Sequence, residues 1–278
     1  MLPDSHRDLL ERPLPAILTN HLGTGRLQVS VVWVTPDGDD VVLSTMAEFA
    51  KARHLRERPR ATLLLRDDDG RWLELRTDVT HDPAERPEDA VAVLDAIARR
   101  YTSRAPHFGA VVPAELAEVE HPVTFRLHPV QVATGTADVR TGAAPVPAPV
   151  PTPPPGTPAA PLPPDAVPLP ATHRDLLDGR TPAVLATVRP DGRARTRPTA
   201  CATDGAALLV AADDEALTDL ATDPRATALV VDPADSARWL QVRADAEVTL
   251  PPGASRHAGA TTAVVRLVPR RVVCDAIH

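Results

Sequence analysis

The sequence predicts a mainly β (α+β) chain built as two small β-barrels in tandem. Three observations carry that expectation. The first is an internal repeat, sought before any motif because self-similarity decides architecture. Leu2-Pro3 followed by His6-Arg7-Asp8-Leu9-Leu10 recurs as Leu169-Pro170 followed by His173-Arg174-Asp175-Leu176-Leu177, an offset of 167. The same offset relates Ala16-Ile17-Leu18 to Ala183-Val184-Leu185, Gly25-Arg26 to Gly192-Arg193, Asp37-Gly38 to Asp204-Gly205, and Arg71-Trp72-Leu73 to Arg238-Trp239-Leu240. Pro59-Arg60-Ala61-Thr62 meets Pro224-Arg225-Ala226-Thr227 after a two-residue deletion, and Arg126-Leu127 meets Arg266-Leu267 after the second copy has lost about 27 residues. The second observation is short apolar runs with alternating polar positions between turn signals. The third is a proline-rich stretch between the copies. These define 1–140 as the first barrel, 141–168 as a polyproline-II linker and 169–278 as the second barrel.

Within the first copy, Pro15 to Asn20 reads as a short buried strand, and Leu27 to Thr35 as a longer one rich in valine. Asp37-Gly38 is a hairpin turn signal, and Val41 to Thr45 is the return strand. Residues 47–57 read as a short helix ended by Pro59, and 60–66, 71–80 and 122–133 as further strands. Ala90, Val91, Leu94, Ile97 and Ala98 give 87–101 an amphipathic helical period. Six strands and two helices fit a small closed barrel; the second copy lacks the second helix.

Composition narrows the function. Acidic residues outnumber Lys and Arg 37 to 30, a net charge of −7, which argues against nucleic acid as a general partner because phosphate neutralisation needs a basic surface. Asp4, Arg7, Asp8, Glu11 and Arg12 interrupt the first twenty residues, so a leader or membrane span is not expected and a cytoplasmic location is. Cys201 and Cys274 fit no metal or disulfide spacing and read as small core residues. The ten histidines lack ligand spacing, so no metal is expected.

The strongest local chemistry is Ser44-Thr45 followed by Lys51-x-Arg53. A hairpin end and the adjoining helix bring two hydroxyls and two cations near one another, the groups that hold a phosphate by charge-assisted hydrogen bonds. The alternative is a solvated helix face. Val29, Val31 and Trp33 are equally compatible with plain strand core.

Residues 2–80 resemble the flavin- and deazaflavin-binding split barrels of the pyridoxamine-phosphate-oxidase superfamily. The resemblance rests on Ala16-Ile17-Leu18-Thr19, Gly25 to Trp33, Ser44-Thr45, Lys51-Ala52-Arg53-His54-Leu55 and Pro59-Arg60, and continues through Arg71 to Arg76 and Ala98-Arg99-Arg100-Tyr101. Leu27, Val31, His54 and Thr77 depart from the family pattern. The resemblance implies that Gln28, Val29, Ser30, Val31 and Trp33 lie along a tricyclic ring and that Ser44, Thr45, Lys51 and Arg53 bind its phosphate. It implies FMN or coenzyme F420 as cofactor. It also implies an intramolecular pseudo-dimer, possible as a monomer, because such barrels usually pair as homodimers.

The second copy does not repeat this set: Ala216, Thr218 and Asp219 stand where Lys51, Arg53 and His54 stand in the first, with Asp213, Asp214 and Glu215 beside them. Trp239 and Arg243 are its candidates for a wall of the surviving site. Arg193, Arg195 and Arg197 read either as an exposed edge strand or as a pocket wall for an anion. The expected activity is hydride transfer between F420 or FMN and a small organic substrate, with no catalytic side chain assigned because the cofactor carries the reaction. A non-catalytic flavin- or haem-type binding protein is the alternative.

Overall fold

The computed structural model describes residues 2–136, 150, 160–235, 237–247 and 263–275. By contacts the chain divides into two compact units: Met1–Thr24, Ser30–Asp67 and Arg71–Gly135 form one, and Gly25–Val29, Asp68–Gly70 and Thr136–His278 the other.

The first copy opens with helix α1 (Asp4–Glu11), which the sequence reading did not anticipate; half of its eight residues are charged, and Leu9 and Leu10 are its buried contribution. Strands β1 (Ala16–His21), β2 (Leu27–Val32), β3 (Val34–Asp37) and β4 (Asp40–Met46) follow, then α2 (Ala50–Glu57), β5 (Arg60–Arg66), β6 (Arg71–Thr80), α3 (Pro87–Thr102) and β7 (Pro122–Thr136). The sheet order is β2-β1-β5-β6-β7-β4-β3. Only Trp33 separates β2 from β3, so the run from Leu27 to Asp37 starts at one end of that order and finishes at the other. A single run that supplies both ends rolls the sheet into a barrel. Gly38 closes the β3–β4 hairpin at φ +65°, a conformation open to glycine and costly for a side chain. Inward positions alternate as a barrel requires: Leu43 pairs with Phe125 and Val41 with Leu127, all in the core.

In the second copy, β8 (Asp178–Val188), β9 (Ala194–Thr203), β10 (Leu208–Ala212), helix α4 (Asp214–Thr222), β11 (Arg225–Val231), β12 (Trp239–Glu247) and β13 (Ala263–Cys274) form a closed barrel in the order β10-β13-β12-β11-β8-β9. Replacing β8 by β1, β9 by β2 with β3, β10 by β4 and β11 to β13 by β5 to β7 reproduces the first order. The fold is therefore two tandem barrels of one topology, with α4 standing where α2 stands. Among the described residues nothing in the second copy corresponds to α3. Most of the proposed linker lies outside the described residues. Its last part is tied to the second unit: Arg266 donates to the Ala160 carbonyl at 2.9 Å, Val167 N–H to the Pro269 carbonyl at 2.9 Å, and Arg270 pairs with Asp165.

The motifs most alike in the two copies anchor the N-terminal segment of each barrel. Arg71 grips Asp8 at 2.6 Å and Asp67 at 2.8 Å, and Arg238 grips Asp175 at 2.6 Å and Asp232 at 3.0 Å. Hydrogen bonding to Arg238 holds the Asp175 carboxyl down at about 2. Arg100 donates to the Leu10, Glu11 and Arg12 carbonyls at 2.6 to 3.0 Å, satisfying the C-terminal end of α1. Gly135 has no room for a side chain, since a Cβ there would lie 2.5 Å from the Trp72 ring.

Candidate functional site

Helix α2 packs on β1 and β4. Lys51 is in its first turn, and Ala52 and Leu55 are buried beneath it. Lys51 is half-buried as a residue, yet its ammonium is desolvated, and burial pushes it down from its ordinary value to about 8. The repeat explains why: the matching Ala216 belongs to the core of the second barrel, so the first places a cation where the second places a methyl group. Among the described residues no carboxylate pairs with Lys51. Arg53 is exposed, and a spacing of two residues sets it on a different face of α2 from Lys51. Strand alternation puts Thr45 inward and buried, while Ser44 faces outward next to Thr124. The two hydroxyls and two cations singled out in the sequence thus occupy one region without forming a bonded cluster.

Further polar groups mark the first copy. Asn20, fully buried on β1, has neither its Oδ1 nor its Nδ2 partnered. Ser30 Oγ and Ser44 Oγ are buried and unpartnered as well. Gln28 Oε1 is in the same condition, on the segment that groups with the second unit. A buried polar atom without a partner costs about 1–3 kcal/mol. Val29 is fully buried, and its carbonyl accepts from Gln241 Nε2 at 2.8 Å, whereas Val31 is 36% exposed. Trp33 stacks on Tyr101 with centroids 5.1 Å apart and planes 8° apart. The Tyr101 hydroxyl donates to the Leu14 carbonyl at 3.0 Å and accepts from Val34 N–H at 3.2 Å, which fixes the Trp33 face it covers.

The second copy fills the matching positions differently. Arg195 and Arg197 match Gln28 and Ser30, Thr187 matches Asn20, and Asp219 matches His54. Arg195 Nε donates to Asp219 Oδ2 at 2.7 Å, Thr187 Oγ1 donates to the same oxygen at 2.8 Å, and Glu215 closes on Arg195 Nη1 and, at 3.2 Å, on Arg197 Nη2. This overturns the edge-strand reading of the arginine run. Strand β9 is paired on both sides, so it is no edge, and Arg195 is buried against acids that neutralise it. Another asymmetry concerns Glu74, which pairs with Arg76 at 2.7 Å; the second copy has Gln241 there, whose neutral Oε1 accepts from Arg243 Nε at 2.9 Å. Burial, with Arg271 and Arg26 nearby, pushes Arg243 down to about 10. Trp239 is half-buried, with its N–H on Asp275 Oδ1 at 3.0 Å. His173 shares that carboxylate at 2.9 Å.

A cavity of about 600 Å³ in the first unit is lined by Arg56, His81, Glu85, Phe108, His121 and Val123 among others. None of the ten residues selected from the sequence lines it. Asn20 was not singled out from the sequence; an amide at an inward position, in line with Ala16 and Leu18, was the available signal.

Residues 169–273 match the family model described as Pyridoxamine 5'-phosphate oxidase. Among solved structures, an F420 reductase is 25% identical over 48% of this chain and 98% of its own, with a TM-score of 0.40. HutZ, the haem storage protein of Vibrio cholerae, is 14% identical over 49% of this chain and 94% of its own, at 0.37. A pyridoxamine 5'-phosphate oxidase-related, FMN binding protein of Nostoc punctiforme is 16% identical over 48% and 84%, at 0.36. No curated protein matches the chain in sequence. No helix among the described residues is long and apolar enough to cross a membrane.

Proposed function

We propose, from the match of residues 169–273 to the pyridoxamine 5'-phosphate oxidase family model and the repeat of their topology in the first copy, that the first barrel holds a phosphate-bearing flavin-type cofactor for a redox reaction. The observation that carries this reading is the uncompensated, desolvated Lys51 in a barrel that also buries the unpartnered polar atoms of Asn20 and Ser30. Among the described residues the second barrel has no such set. Lys51 binds the cofactor's phosphate, one hydroxyl of the Ser44-Thr45 pair, whose side chains face opposite ways, donates to it, and the exposed Arg53 adds a weaker, salt-sensitive contact. Ser30 hydrogen-bonds the ring edge, with Val31 and Trp33 as its apolar surroundings. A bound FMN or F420 supplies hydride transfer to or from a small organic substrate.

The test is the absorbance spectrum of the purified protein and titration with FMN and with F420. Tight binding of one, weakened at least tenfold by Lys51→Ala and less by Arg53→Ala, supports the reading. Binding that survives Lys51→Ala unchanged overturns it. Cofactor binding without oxidase or reductase turnover across a substrate panel selects the non-catalytic alternative.

A further inference from the structure

We propose that Arg195 and Arg197 form an anion site in the second barrel, for a phosphate group, which the chain itself fills with the carboxylate of Glu215. The site is built. Arg195 is 5% exposed and fixed through Nε to Asp219, itself 1% exposed and held by Thr187. That leaves the other end of the guanidinium directed at Glu215, which also receives Arg197. The two arginines are two residues apart on β9 and so share a face. Their acids differ in kind. Asp219 is buried and integral, whereas the Glu215 side chain is 59% exposed, in the first turn of α4, where a dissolved anion can reach the same donors. Asp213 is committed to capping α4 through Ala216 N–H at 2.7 Å.

The repeat gives an independent second observation. The positions matching Arg195 and Arg197 in the first barrel are Gln28 and Ser30, and both have buried, unpartnered oxygens. The same two strand positions are therefore polar in each copy, left open in one and filled from within in the other. A covalently attached carboxylate competes with any free anion, so this site is closed by default and opens to an anion that displaces Glu215. The inference stands on the geometry of the second barrel and does not require the redox reading of the first.

Glu215→Gln removes the competing charge and keeps the side chain's size and exposure. To silence the cations of the first barrel, the comparison is made in a Lys51→Ala, Arg53→Ala background, with inorganic phosphate and pyrophosphate as calorimetric titrants. The expected result is that Glu215→Gln tightens pyrophosphate binding roughly tenfold or more, and that adding Arg197→Gln removes the gain. Pyrophosphate also raises the Tm of the Glu215→Gln protein more than that of its parent. Equal binding by the folded parent and the Glu215→Gln protein overturns the proposal. So does loss of folding on Glu215→Gln, because it would make this carboxylate as integral as Asp219. Since both proteins share one background, the comparison reads the second barrel even if Lys51 binds no cofactor.

Discussion

Replacing Lys51 by methionine is expected to make the cofactor-free protein more stable at pH 7 while weakening its hold on a phosphate. In the folded chain burial lowers Lys51 from 10.5 to about 8, and the unfolded chain keeps the ordinary value. Between those values the unfolded state holds more protons, so this residue makes stability rise with pH. Below about 8 the ammonium is charged in both states and the desolvation cost is present in full. At ~1.36 kcal/mol for each tenfold difference in proton affinity, the gap amounts to roughly 3 kcal/mol. Lys51→Met removes that cost and adds an apolar side chain beside Leu55. The assay is urea unfolding at pH 7 and pH 10, followed by the fluorescence of Trp33 and Trp72 in a Trp239→Phe background, so that both probes lie in the first unit. The variant's advantage is expected near pH 7 and largely absent at pH 10. A variant no more stable than its parent at pH 7, or an advantage that does not change with pH, refutes the reasoning.

Other expectations follow from neighbouring features. Asp219→Asn takes away the buried carboxylate that holds Arg195 Nε and is expected to cost about 3–5 kcal/mol, against less than about 1 kcal/mol for the exposed Glu215→Gln, as read by denaturant midpoints. Phe125→Ala, at the centre of the first core, is expected to cost about 3–5 kcal/mol in the same measurement. Arg100→Ala strips three carbonyls of their donor, and loss of amide-exchange protection confined to α1 is the expected signature; uniform loss across the barrel would show a different role. Arg238→Met is expected to move the Asp175 carboxyl from about 2 back towards 3.8 in a carbon-detected NMR titration. Its contribution to stability, present above the ordinary carboxylate value and lost as pH falls through about 2, would vanish with it.

Much of the fold was legible because repetition and alternation are properties of the sequence itself. Residues 60–66 and 71–80 are strands with the bounds their patterns indicate, and the Asp37-Gly38 and Asp204-Gly205 turns both hold glycines at positive φ. Helix α1 was illegible because charge masks its two buried leucines; what stabilises it is the distant pair of Arg71 and Arg100, which no local window contains. The site was legible as residue types and less so as geometry. Lys51 stands out in sequence as a cation near hydroxyls, but its desolvation follows from lying at a core alanine's position, which only the superposed repeat reveals. The edge-strand reading of the arginine run failed for a related reason: period two predicts a shared face, and whether that face meets water or Asp219 depends on where α4 packs.

The most direct test is one cofactor titration. FMN and F420 are added separately to the parent protein, to Lys51→Ala and to Glu215→Gln, with absorbance and heat recorded together. The account predicts that one cofactor binds the parent with a stoichiometry of one at the first barrel and that Lys51→Ala weakens it at least tenfold. Glu215→Gln should leave that affinity unchanged. Equal affinity for the parent and Lys51→Ala, or loss of binding in Glu215→Gln alone, would contradict the assignment of the cofactor to the first barrel.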